Sequence, residues 1–261
     1  MAIYAISDIH GQLKAFEDIL NQIEFSVEKD TLYLLGDYID WGDESIGVIR
    51  KIQELQAQDK TGEHIIALKG NHEFMMLNII NNIPLGATMR DIRESGEVYE
   101  DLATWEHNKG LKTLKQYLKL NNVDRKNIKN WMNNLRVVVE DVEVNGEHNY
   151  LCHSFPIIDP AYTTDEESTW WRVESSYDLT NFRIKFPGYT LISGHTIVDR
   201  YNSKDKQGRL KIYNRKEDMN YIDIDCGAKA LETHKNYARL ACLRLCLLYT
   251  SPSPRDYAAS R

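Results

Sequence analysis

Asp37 and Asp40 lie in the stretch Gly36-Asp37-Tyr38-Ile39-Asp40-Trp41-Gly42, directly after the apolar run Thr31-Leu32-Tyr33-Leu34-Leu35. Two carboxylates therefore emerge where a buried strand turns into a loop. Three other stretches share the design of an apolar run ending in a polar cluster: Ile3–Ser7 into Asp8-Ile9-His10-Gly11, Ile65–Leu68 into Lys69-Gly70-Asn71-His72-Glu73, and Thr190–Ser193 into Gly194-His195-Thr196. Tyr150-Leu151-Cys152 delivers His153 in the same way. Strands that each release Asp, Asn or His at one end of a sheet gather distant oxygen and nitrogen donors in one place. Divalent-metal binding is the economical explanation. Oxygen and nitrogen ligands without thiolate fit Mn2+, Fe or Zn2+ better than Ca2+.

Taken singly these clusters are weak signals, since Gly-Asp and Gly-Asn are ordinary turn dipeptides and an isolated histidine is usually structural. In this order they resemble the calcineurin-like metallophosphoesterase family, and within it the phosphoprotein-phosphatase branch of bacterial and phage serine/threonine phosphatases. That branch reads Asp-x-His-Gly, Gly-Asp-x-x-Asp-Arg-Gly, Gly-Asn-His-Glu, then His and Gly-His. The resemblance runs from Asp8 to about Leu245. It implies an α/β fold, the four-layered α/β/β/α sandwich of two mixed sheets flanked by helices.

The resemblance also implies roles. By carry-over of the motifs, Asp8, His10 and Asp37 hold one metal ion, and Asp37, Asn71, His153 and His195 hold a second. Asp37 bridges. A shared carboxylate can keep two cations about 3.5–4 Å apart, where they clamp phosphoryl oxygens and acidify a water. His72 becomes the acid that protonates the leaving oxygen, oriented by Asp40, because a carboxylate beside an imidazole favours its proton-bearing form. Trp170-Trp171-Arg172 resembles a Trp-x-Arg segment that sets an arginine on substrate phosphate, a task suited to planar guanidinium. Trp105-Glu106-His107-Asn108-Lys109-Gly110 resembles the Trp-x-x-Asn-Gly-Gly turn of bacterial and phage members, with Lys109 in place of a glycine. Two further departures touch the substrate phosphate-binding positions. Trp41 replaces an arginine, and Lys69 stands where an arginine often precedes Gly-Asn-His-Glu.

These features imply a two-metal hydrolase of phosphomonoesters, working by attack of metal-bound hydroxide, with two divalent ions such as Mn2+ as cofactors. Phosphoserine or phosphothreonine in proteins is the leading substrate, with small phosphoesters as the wider class. A symmetrical dinucleoside tetraphosphate hydrolase belongs to the same branch and could stack a base on the Trp41 indole. A partner-binding module that keeps the fold without catalysis is the reading from another class. Metal analysis with a generic aryl phosphate assay separates it from both enzymes.

The elements that must position these residues follow from periodicity. Leu13, Phe16, Ile19, Leu20 and Ile23 recur at helical spacing between the first strand and Thr31–Leu35, giving a β-α-β unit. Ile46, Ile49, Ile52 and Leu55 repeat the helical pattern before a third strand at His64–Leu68, and Glu73–Ile80 opens another helix. Parallel strands with crossover helices are expected. From Asn81 to Leu135 the composition turns polar and rich in Asn and Lys, which reads as a helical insertion beside the site. Val137–Val139 and Val142–Val144 then meet Asn145-Gly146, a strong hairpin signal. Arg209–Tyr213, Asn220–Asp223 and Ala238–Leu245 are expected to supply strands of a second, mixed sheet.

Bulk properties agree with one enzyme-sized domain. With 261 residues and 42% hydrophobic content, the chain can bury a core without disulfides. A formal net charge of -7 argues against binding nucleic acid polymers or anionic membranes. Four cysteines without paired spacing suit a reducing compartment. Without a long apolar run or a signal peptide, the expected location is cytoplasmic. Cys246-Leu247-Leu248-Tyr249-Thr250-Ser251-Pro252-Ser253-Pro254-Arg255-Asp256 reads as one frame of a transposase-type sequencing adapter, continued by Tyr257–Arg261. The catalytic domain is therefore placed at 1–245, and 246–261 is expected to lie outside the fold.

Overall fold

The two faces of each strand go to different cores, and this alternation builds the layers. The computed structural model describes residues 1–173, 176–215, 220–247 and 257–259. In β1 (Ile3–Ile6), Tyr4 and Ile6 enter a core shared with α1 (Leu13–Gln22), α2 (Ser45–Gln58) and α3 (Asn71–Ile80), whereas Ala5 faces the opposite side. Helix α1 buries Phe16, Ile19 and Leu20, and its N-cap Gln12 makes no side-chain capping bond. Burial of that face, rather than its end, holds the helix.

The first sheet also contains β2 (Thr31–Leu34), β3 (Ile65–Ala67), β9 (Ala241–Arg244) and β10 (Tyr257–Ala259), in the order β10-β9-β1-β2-β3. β1 pairs parallel with β2, and β2 with β3. The second sheet contains β4 (Val138–Val144), β5 (Glu147–Cys152), β6 (Thr190–Ser193), β7 (Tyr213–Arg215) and β8 (Tyr221–Asp223), in the order β4-β5-β6-β8-β7. β5, β6 and β8 are mutually parallel, with antiparallel β4 and β7 at the edges. Leu151, Ile192 and Ile222 of this sheet meet Ala5, Leu35, Leu68 and Leu243 of the first in one shared core. On its outer face, Tyr150, Cys152, Leu191 and Tyr221 pack under Leu179 and Phe182 of the helix Ser176–Lys185. The result is the α/β/β/α sandwich expected from the sequence.

Asn145 and Gly146 join β4 to β5 with φ of 55° and 82°, the doubly positive backbone of a tight hairpin turn. The stretch 81–135 is helical: α4 (Met89–Glu94), α5 (Tyr99–His107), α6 (Leu111–Leu118) and α7 (Asn122–Asn133). They join the first core through Ile92, Trp105, Leu114, Ile128 and Met132.

Of the strand expected at Arg209–Tyr213 only Tyr213 lies in β7, and two further details depart from the sequence expectation. Ala241–Arg244 does not enter the second sheet but pairs antiparallel with β1. Its alternation suits that place, since Cys242 faces the helices while Ala241 and Leu243 face the other sheet. The second departure is in the tail, where the backbone of Tyr257–Ala259 pairs with β9 as an edge strand. An exposed ladder can recruit almost any extended segment, so this pairing asks little of the side chains. Most of the adapter-like string, 248–256 and 260–261, lies outside the described residues.

Candidate metal centre and proton donor

Every ligand-type residue sits where a strand ends. Asp8 follows β1, Asp37 follows β2, Asn71 opens α3 beyond β3, His153 follows β5 and His195 follows β6. Asp8, His10, Asp37, Asp40, Trp41 and His195 all adopt left-handed backbone, with φ between 48° and 73°. Asp and His tolerate that region better than most residues, and a cluster of such conformations marks a functional site. Packing between the loops is close, since a Cβ on Gly70 would lie 2.2 Å from Asp37 Oδ1. Only glycine fits there.

Asp37 presents its two oxygens to different sides. Oδ2 lies 3.7 Å from His10 Nε2 and 3.8 Å from His72 Nε2, whereas Oδ1 lies 3.3 Å from His153 Nε2. Asn71 Oδ1 is 3.1 Å from both His153 Nε2 and His195 Nδ1. Asp8 Oδ1 lies 4.0 Å from His10 Nε2, and both Asp8 oxygens face the His195 backbone N–H at 3.2 and 3.0 Å. Such spacings suit donors that share a cation at about 2.0–2.2 Å. The tightest donor groups are His10, Asp37 and His72 on one side and Asp37, His153 and His195 on the other. All six expected ligands thus converge, and His72 stands beside them.

The electrostatics fit a cation. Burial, reinforced by the charge of Asp225, raises the Asp8 pKa well above the usual carboxylate range. Burial presses on Asp37 in the same sense, but His153, His72 and His10 outweigh it and hold its carboxyl well below that range. For His153, burial disfavours the charged ring, yet Asp37 lifts it to about 10. Burial and the charge of His72 bring His10 down to about 3. Burial lowers His195 as well, and its Nε2 is buried without a hydrogen-bond partner. A buried anionic cluster that retains a proton on one imidazole is a place where a divalent ion can substitute for that proton.

The expected acid is paired as the resemblance implied, with His72 Nδ1 2.6 Å from Asp40 Oδ2. Burial works against its protonation, and the charges of Asp37 and Asp40 outweigh it, so the pKa of His72 is raised. Four supporting residues were assigned no individual role in the sequence reading. Trp105 Nε1 donates to Asp40 Oδ2 at 2.7 Å, and the Thr113 hydroxyl donates to Asp40 Oδ1. Gly110 packs flush under that indole, where a Cβ would lie 2.2 Å from Trp105 Nε1. Glu73 accepts the backbone N–H groups of Asp37, Tyr38 and Gly70 at 2.8, 2.9 and 2.9 Å, tying two ligand loops together. Its position three residues into the helix, reaching back to the cap, was the available signal. Thr113 left none.

The expected phosphate-binding residues are less uniform. Arg172 is exposed, and its charge is felt at His195. Lys69 differs from expectation, because its ammonium lies 4.7 Å from the Phe74 ring centre and donates to the Asn133 carbonyl at 3.4 Å. Burial lowers its pKa. The Lys69 N–H is tied to the Arg136 carbonyl, which anchors this residue toward the insertion. Trp41 lies beside Lys109 and Lys229.

Residues 1–199 match the calcineurin-like phosphoesterases, and the chain belongs to that family. The family comprises metal-dependent hydrolases of phosphoric esters, and the donor set here has the composition for two divalent ions. Among its relatives, the symmetrical bis(5'-nucleosyl)-tetraphosphatase of Delftia acidovorans is 42% identical over 77 residues, 30% of this chain and 25% of the relative. The enzyme of that name from Nitrosococcus oceani is 35% identical over 108 residues, 40% of this chain and 36% of the relative. These matches span about a quarter to a third of the relatives' length. A solved structure assigned as a diadenosine tetraphosphatase aligns with TM-score 0.57 at 16% identity, covering 100% of this chain and 94% of that one. The protein-tyrosine phosphatase of a psychrophilic Shewanella aligns with TM-score 0.55 at 16% identity, covering 100% and 80%. Likeness at this identity concerns the fold. Among the described residues, no helix is long and apolar enough to cross a membrane.

Proposed function

We propose that this protein is a dinuclear-metal phosphoesterase that splits dinucleoside tetraphosphates symmetrically. The name borne by the curated relatives carries the substrate, and it favours this reading over the phosphoprotein expected from the motif set. The placement of the Asp37 oxygens toward two donor groups supports a two-ion site. Asp8, His10 and Asp37 would hold one ion, and Asp37, Asn71, His153 and His195 the other. Two bound cations supply positive charge to the phosphoryl oxygens and acidify water.

The chain's own residues do the rest. Glu73 fixes the loops of Asp37 and Asn71 through three backbone N–H groups, so the ligands are set before substrate arrives. Asp40 holds His72 by Nδ1, which leaves the Nε2 proton facing the centre. That proton goes to the leaving phosphate oxygen as the central P–O–P link breaks and water adds to the other phosphorus. The products are two nucleoside diphosphates. Arg172, exposed and with its charge felt at His195, is suited to the substrate phosphate.

The test is product analysis of chelator-stripped protein reloaded with Mn2+, Zn2+ or Fe2+ and offered diadenosine tetraphosphate. ADP as the only nucleotide product is expected. ATP plus AMP, or dephosphorylation of a phosphoserine peptide with the dinucleotide untouched, overturns the reading.

A further inference from the structure

Two of the three departures from the family pattern, Trp41 and Lys109, are 68 positions apart in sequence and meet in space. The Lys109 ammonium lies 6.0 Å from the Trp41 ring centre, and that of Lys229 lies 5.4 Å from it. All three residues line one pocket of about 600 Å³, together with Glu106, Leu111 and His234. That volume is of the size that takes a small ligand. Lys112 and Glu232 also border it, but Lys112 is committed to Asp43 at 2.6 Å and to the Trp41 carbonyl. Among the described residues, Lys109 and Lys229 form no ion pair.

Lys109 is exposed and sits at φ 68°, a conformation that glycine adopts without cost. A lysine held there contributes something other than backbone fit, and its reach toward Trp41 indicates what. The arginine expected at position 41 would bring a cation to substrate phosphate, and the indole brings none. Lys109 and Lys229 return positive charge to the same place. The pocket borders the loop that carries the centre, because Trp41 directly follows Asp40 and Gly42 N–H donates to the His10 carbonyl. Trp41 Nε1 is buried without an acceptor.

We propose that this pocket receives the nucleoside diphosphate that leaves in the reaction, its phosphates between Lys109 and Lys229 and its nucleoside against the Trp41 indole. The inference rests on the substrate reading above. An ammonium beside an aromatic wall matches an anion joined to a flat base.

The experiment is equilibrium dialysis of ADP, with inorganic phosphate as the comparison probe, against the Mn2+-loaded full chain. The wild type is expected to bind ADP more tightly than phosphate. Lys109→Gly and Lys229→Met should each weaken ADP about tenfold, on the scale of one charge-assisted hydrogen bond. Lys109→Gly keeps the fold, since glycine is relaxed at that φ, and its melting temperature should equal or exceed the wild-type value. Unchanged ADP affinity in both variants overturns the pocket. The substrate reading fails separately: if wild type releases no ADP from the dinucleotide but still loses ADP binding on Lys109→Gly, the nucleotide site stands without that substrate.

Discussion

Trp105 Nε1 donates at 2.7 Å to Asp40 Oδ2, the oxygen that also lies 2.6 Å from His72 Nδ1. The helical insertion therefore reaches the His72–Asp40 pair itself instead of merely covering it. Trp105→Phe keeps the ring and removes the donor, so Asp40 becomes freer to rotate away from His72. The expected result is a loss of roughly tenfold in kcat on poor leaving groups, the size of a hydrogen bond to a charged partner. Activated aryl esters should lose less. An equal loss across leaving groups would mean that Trp105 acts only as packing.

His72→Ala should show the same dependence in stronger form. Loss of a general acid costs on the order of a hundredfold to ten-thousandfold, concentrated where the leaving oxygen bears most charge. The check is kcat/KM over a series of esters of graded leaving-group acidity. A flat series would remove His72 from that role.

Asp37→Asn takes negative charge from both donor groups at once, whereas Asn71→Ala touches one. Metal analysis after dialysis should find both ions lost from the first variant and one retained by the second, with turnover abolished in Asp37→Asn. Near-wild-type rates for Asp37→Asn in excess Mn2+ would defeat the bridging role.

Asp59 ties the loop before β3, accepting N–H bonds from Thr61, Gly62, His64 and Ile65 at 3.1, 3.0, 2.7 and 3.0 Å. Burial alone would raise its pKa, but the Thr61 hydroxyl and these N–H groups lower it from 3.8 to about 2. A folded value below the unfolded one means stability that is full above the unfolded pKa and lost as pH falls through the folded one. Asp59→Ala should therefore lower the urea midpoint at neutral pH, with the gap to wild type shrinking as pH drops from about 4 toward about 2. A gap independent of pH would contradict it.

Residues 246–261 are proposed to be foreign to the domain, although Tyr257–Ala259 pair with β9. Truncation after Leu245 should leave turnover unchanged and shift the melting temperature little. A fall of several degrees would show that the edge strand stabilises the first sheet.

Much of the centre was legible in the chain itself. Asp8, Asp37, Asn71, His153 and His195 each follow an apolar run short enough to be a strand, and a residue just past a strand has a place determined locally. The Asn145-Gly146 turn and the helices of 81–135 were readable for the same reason, since period and turn chemistry act over a few residues. Tertiary structure alone decided which sheet Ala241–Arg244 joins, because any open edge with matching alternation could accept that strand. It also decided that Lys69 turns toward Phe74 and Asn133, and that Trp105 and Thr113 reach Asp40 across 65 and 73 positions. Likewise, only packing brings Lys109 and Lys229 to Trp41. Contacts over such separations depend on how helices and sheets settle against each other, which no local pattern encodes.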